Sequence, residues 1–163
     1  MASWWVSKTR QAVRHLRANV PATERARLVS WLRPAELVLF DRMHVADRRH
    51  GLDVVKTLRA AGETDDDVLL AGLLHDAGKG DTGLVTRVIH SLSQRYGDWI
   101  AGAARAWPWT RDGMARLLAH AELSAALARE AGCSERTVEL IRWQDEPHDP
   151  VAGERLRLAD EAN

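Results

Sequence analysis

Cysteine is almost missing from this chain, with Cys133 alone among 163 residues. A single thiol excludes an intramolecular disulfide framework and fits a reducing compartment. An excess of one charge sign is missing too, because 23 Lys and Arg balance 23 Asp and Glu. There is therefore no global basic field to attract long nucleic acid and no acidic tail. No apolar run approaches the roughly 20 residues that cross a bilayer, and the first residues lack the continuous apolar stretch of a signal peptide. Low-complexity tracts and internal repeats are not found. No segment alternates apolar and polar residues at period two for long enough to make a strand. The expectation is a cytoplasmic, all-α protein near one domain in length, large enough to bury a real core.

What is present is organised around Leu69-Leu70-Ala71-Gly72-Leu73-Leu74-His75-Asp76-Ala77-Gly78-Lys79-Gly80. Thr64 is expected to cap this helix, with Asp65, Asp66 and Asp67 in the first turn beside the positive end of the dipole. Leu70, Leu73 and Leu74 share a buried face by helical spacing. Gly78 suits the position just past the helix end, where a left-handed backbone is easy for glycine alone. His75 and Asp76 then fall in the last turn. A carboxylate there opposes the helix dipole at a cost of roughly 0.3–1 kcal/mol, which a bound cation would reverse.

The His-Asp dipeptide carries little information by itself, since a composition of seven His and thirteen Asp yields about half of one by chance. A second does occur at His148-Asp149, set between Pro147 and Pro150 in an expected exposed loop. Context separates the two, because only the first closes an apolar helix and leads into Gly-Lys.

In order, residues 2 to 19 read as an amphipathic helix carrying Trp4, Trp5, Val13 and Leu16, which can pack on the domain, on a partner chain or on a membrane surface. Thr23 is expected to cap a short helix to Leu32, and Pro34 to open the next, with Leu37, Phe40 and His44 along one stripe. Asp47 is expected to cap the helix of His50, Val54 and Leu58, which ends near Gly62. Another helix is expected from Thr82 to Tyr96, with His90 on its solvated side. Ala-rich sequence with Trp107 and Trp109 follows and suits packing. Residues 111 to 131 read as a helix or a broken pair bearing His120 and Glu122. Ser134 caps a helix facing Val138, Ile141 and Trp143 inward. The last helix begins at Asp149 or Pro150, with Leu156 and Asp160 one turn apart.

The pattern His50, then LLAGLLHDAGK 25 positions on, then Asp160 resembles the signature of the HD-domain superfamily of metal-dependent phosphohydrolases. The likeness spans about residues 35 to 163. It implies a compact multi-helix HD-type domain over residues 34–163, with residues 1–33 as an N-terminal helical extension. It also implies His50, His75, Asp76 and Asp160 as metal ligands. Two imidazoles and two carboxylates suit one divalent ion of borderline character, Mn²⁺, Fe²⁺, Co²⁺ or Zn²⁺, with Mg²⁺ less at home. Such an ion can activate water and polarise a phosphoryl oxygen, so the activity implied is hydrolysis of a phosphoester in a nucleotide or related small metabolite. Asp76, Lys79 and His120 are the candidate catalytic residues. Lys79 can neutralise phosphate charge or can be a solvated lysine. His120, in a His-Ala-Glu context, can contact substrate, transfer a proton or bind metal. Members with two metals carry a further His-His pair, and where it would fall this chain has Trp143-Gln144, so one ion is expected. Arg48, Arg49, Trp107 and Arg111 are candidates for substrate selection. Two other function classes stay open: a signalling or regulatory domain that binds a nucleotide or protein partner with little turnover, and a peripheral-membrane or assembly module using the Trp-rich N-terminal helix. An oligomer is compatible with all three.

Overall fold

The sequence places six apolar residues and a glycine between Val68 and Leu74, which leaves that helix no polar side to turn to water. It must be covered from several directions, and the computed structural model of the chain shows how. The structure describes residues 18–80 and 108–163, together with Ile89, Trp99 and Gly102. The expected helices over 2–19 and 82–96, His90, and the Trp107 segment lie largely or wholly outside the described residues.

The described elements are all helical. They comprise α1 (Ala22–Val29), α2 (Pro34–Arg42), α3 (Val45–Ala60), α4 (Asp66–Leu74), a 3-10 turn (Ala77–Lys79), α5 (Pro108–Leu118), α6 (His120–Glu130), α7 (Glu135–Arg142) and α8 (Ala152–Glu161). No strand occurs among the described residues. No described helix is long and apolar enough to cross a membrane.

α4 is the centre of the core. Val68, Leu69, Ala71, Gly72, Leu73 and Leu74 are all buried, and α3, α7 and α8 pack around the helix. Phe40, Val54, Leu58, Val138, Ile141 and Leu156 join the same cluster. At about 1.5–3 kcal/mol for each large apolar side chain removed from water, this cluster dominates the stability of the fold. α1 is part of the assembly through Leu28, and Arg25 pairs with Asp41 of α2.

Several local expectations shift. Asp65, not Thr64, caps α4, its carboxylate accepting from Asp67 N at 3.0 Å. Glu63 turns back to accept from the amides of Thr64 and Asp65. α1 begins after Pro21 with no side-chain cap, so Thr23 lies inside the helix. α2 ends at Arg42 because Met43 is extended. His44 therefore leaves the apolar stripe and caps α3, its Nδ1 accepting from Ala46 N at 3.2 Å, while Asp47 falls in the first turn. The 111–131 segment is a broken pair, interrupted at Ala119. α8 starts at Ala152, with the Asp149 carboxylate accepting from the amides of Val151 and Ala152. Of the second His-Asp dipeptide, Asp149 thus holds the start of α8, while His148 stacks on Trp143.

Gly51 sets the closest approach in this core. A Cβ there would lie 2.4 Å from the carbonyl oxygen of Leu73, so α3 and α4 touch backbone to backbone, one residue away from His50. Gly51→Ala is expected to force the helices apart and destabilise the protein by about 1–3 kcal/mol. It should also weaken divalent-metal binding by moving His50 relative to His75. Thermal melts in chelator and a metal titration check both, and an unchanged melting temperature would refute the tight contact.

Candidate metal centre

α4 ends at Leu74, and His75 follows as its C-cap, the amide still bonded to Ala71 O. The pair His75-Asp76 therefore lies just past the last turn and not inside it. Gly78 has no left-handed backbone. Its lack of a side chain is needed for packing, since a Cβ would come within 2.6 Å of His120 O and Ser124 N. The positive φ expected at Gly78 occurs two residues on, at Gly80 (φ 60°). The Gly78 amide donates to Ser124 Oγ at 2.8 Å. Ser124 was not singled out from the sequence, although it sits one helical turn after His120.

Three side chains from three elements converge here. The ligand atoms of His50, His75 and Asp160 all lie within 4.8 Å of one another. His50 Nε2 donates to Asp160 Oδ1 at 2.6 Å. His75 Nε2 lies 3.4 Å from that same oxygen, and the two imidazoles meet edge to face, with centroids 5.2 Å apart. His75 Nδ1 donates to the Gly72 carbonyl at 3.0 Å. That bond fixes the ring and leaves Nε2 as the nitrogen facing the cluster. Asp76 is not in the mutually close set, yet its Oδ1 is 3.5 Å from His75 Nε2.

Two atoms decide what this cluster can do. His75 Nε2 and Asp76 Oδ1 are buried without a hydrogen-bond partner. An orphaned buried polar atom typically costs about 1–3 kcal/mol. Two of them facing each other beside His50 and Asp160 form a donor set that a divalent cation satisfies. The group His50, His75 and Asp160 can hold a metal ion. Comparison with protein-family models, with curated proteins and with solved structures returns no match.

The remaining predicted residues are placed as follows. Lys79 Nζ pairs with Asp76 Oδ2 at 2.6 Å, so it is not a free surface lysine. Asp76 likewise has a structural partner and is not simply a charge opposed to the helix dipole. His120 stands at the start of α6, which packs against the 3-10 turn, and its Nε2 faces Gln144 Nε2 at 3.0 Å. Trp143 turns away and stacks on His148 at 3.8 Å. Arg49 is taken up by Glu24 and Asp53, and Arg48 approaches Asp41.

The electrostatics follow from this crowding. Burial alone would push the His75 imidazole down. The negative charges of Asp76 and Asp160 outweigh burial and lift it to about 9. Burial would raise the Asp76 carboxyl, but His75, Lys79 and His50 hold it well below the usual range. Asp160 is likewise lowered against burial, by its bond to His50 and the nearby charge of His75. For His75 the folded value exceeds the unfolded one. Its contribution to stability is therefore full below about 6.5 and disappears as pH rises through about 9. The carboxylates contribute above about 3.8 and lose that contribution as pH falls.

Protons and a cation compete for the same atoms, so the two pH trends oppose each other. Metal-free protein should lose melting temperature from about pH 6.5 to 9, whereas metal affinity should rise by about tenfold per pH unit over that interval. Calorimetry with a divalent metal in buffers of different ionisation enthalpy should show release of about one proton near neutrality. Affinity independent of pH would refute the competition.

Lys79→Ala tests the other half of the cluster. Without its cation Asp76 is left buried, and the metal-free protein should lose about 1–2 kcal/mol, less than for a fully enclosed pair because Lys79 is partly exposed. Saturating metal should narrow the difference from wild type. A metal-independent loss would mean that Lys79 stabilises the turn in another way.

Proposed function

We propose that this chain is a metal-dependent phosphohydrolase of the HD type, acting on a phosphoester in a small, nucleotide-like substrate. The observation that carries the reading is the pair of orphaned buried atoms, His75 Nε2 and Asp76 Oδ1, beside His50 and Asp160. A purely structural histidine cluster would have no reason to leave them unsatisfied. When bound, a divalent ion supplies Lewis acidity toward a phosphoryl oxygen and lowers the pKa of a water enough to make it nucleophilic near neutral pH.

The chain's own residues do the rest. His50, His75 and Asp160 hold the ion, with Asp76 closing the set, and the Nδ1 bond of His75 to Gly72 keeps its ring aimed. Mn²⁺, Fe²⁺, Co²⁺ or Zn²⁺ fits two imidazoles better than Mg²⁺ does. Lys79 leaves part of its charge on Asp76 and can transfer it to a phosphate that enters beside the turn. His120 serves as a proton carrier, since its Nδ1 is bonded to the Leu117 carbonyl and its Nε2 faces the polar interior.

A metal-supplemented screen against nucleotides and phosphorylated metabolites tests the reading. Turnover should depend on added divalent metal and disappear in Asp76→Ala. Protein loaded with Mn²⁺ and desalted should retain close to one equivalent, and His120→Ala should slow turnover with little loss of metal. Metal binding without turnover across the panel would favour a regulatory domain, and absence of metal binding would overturn both readings.

A further inference from the structure

Beyond the Nε atoms of Arg48 and Arg49, a further buried polar atom is not accounted for by a cation between His50, His75 and Asp160. Gln144 is almost fully enclosed, and its Oε1 has no hydrogen-bond partner. Its Nε2 lies 3.0 Å from His120 Nε2. His120 Nδ1, 2.7 Å from the Leu117 carbonyl oxygen, must carry a hydrogen. The other ring nitrogen then offers a lone pair, and the Gln144 amide donates to it.

Were Gln144 only packing, an apolar side chain of the same shape would serve without stranding an oxygen. A carboxamide differs from every other neutral side chain in having a donor and an acceptor related by a half-turn about one bond. With the amide nitrogen toward His120, neutral imidazole is matched. After the half-turn, Oε1 accepts from Nε2–H of the imidazolium, and the oxygen is no longer orphaned.

We propose that Gln144 is the positioning residue of His120, holding its Nε2 at one place in both protonation states, as donor to the neutral ring and as acceptor from the charged one. The inference rests on the hydrolytic reading of the site only for its use, because a proton delivered to a leaving oxygen must come from a nitrogen whose position is the same before and after transfer. The proton reaches or leaves Nε2 as the carboxamide makes its half-turn, when that nitrogen is free of Gln144, while Nδ1 keeps its own hydrogen on the Leu117 carbonyl throughout. The charged groups facing His120 are Asp76, whose Oδ2 pairs with Lys79 of the 3-10 turn and whose charge also acts on His120, and Glu122 of α6, paired with Arg142 of α7.

The same contact occupies the lone pair that a second metal would need. Trp143, the adjacent residue, is turned out onto His148, so the turn after α7 presents the carboxamide at this place.

Nitrogen-15 NMR of the metal-free protein reads the proposal directly. In wild type at high pH, His120 should be a single Nδ1–H tautomer. Gln144→Glu, which can only accept, should keep the Nε2 proton on His120 to a pH about one unit higher than wild type. Gln144→Met, which offers neither partner, should release it at lower pH than wild type. The limb of the turnover profile that reports His120 should move in the same directions. If the Met variant does not fold, the Glu variant against wild type decides. A common titration and common nitrogen shifts in all folded variants would overturn the proposal, even where phosphoester turnover is present. Separated titrations support it even where no phosphoester is turned over, which would locate the failure in the hydrolytic reading.

Discussion

The close contact of two backbones, at Gly51 of α3 and Leu73 of α4, is the constraint on which the rest of the molecule depends. A helix that is apolar on nearly every side needs close neighbours around it, and here even the Leu73 carbonyl is in contact. One turn of geometry then carries the consequences outward. His50 precedes Gly51, so it arrives beside the end of α4. Leu156 of α8 packs near Gly72 together with Leu58 and Val54 of α3, and Asp160 lies one helical turn beyond Leu156. The polar cluster is thus a by-product of apolar packing, because the residues that enclose α4 fix what meets at its C-terminal end.

Much of this was legible in residue spacing. The all-α class and the inward faces of α3 and α8 follow from periodicity, and the helix boundary near Leu74 follows from the change from leucines to His-Asp. The errors are local and have a common cause. Near Thr64 the chain offers four residues able to cap a helix, and only the backward turn of Glu63, held by Arg155 of α8 at 2.9 Å, selects Asp65. At Gly78 a missing side chain is required, but the requirement comes from α6 packing onto the turn, and sequence cannot distinguish that from a left-handed backbone. His44 continues the spacing of an apolar stripe whose helix has already ended at Arg42. At Thr64 and Gly78 a long-range contact decided between local options of similar energy.

Without a cation, the cluster neutralises itself in pieces. Lys79 answers one oxygen of Asp76, and the proton on His50 Nε2 answers Asp160. What is left over is one oxygen of Asp76 and one nitrogen of His75, 3.5 Å apart. A proton on His75 fills that gap, drawn by the charges of Asp76 and Asp160, which is why its imidazole is raised so far despite burial. Sequence could nominate these residues, but not the division of labour among them. Whether a carboxylate is paired, shared or orphaned depends on tenths of an ångström that periodicity does not carry.

On the proposed reading, the same division explains the asymmetry of the centre. One side gathers two imidazoles and two carboxylates around a gap that a proton on His75 occupies when no metal does, an arrangement that attracts a cation. The other side meets the His120 lone pair with an amide hydrogen of Gln144, which has no affinity for a cation and would have to be displaced before one could bind. Displacing it would strand a second polar atom on Gln144 unless the carboxamide turned its oxygen inward, and a carboxamide oxygen is a weaker ligand than the ring nitrogen or carboxylate oxygen available on the first side. The two halves are therefore chemically distinct although both contain histidine: the first is suited to hold charge, and the second to carry a proton.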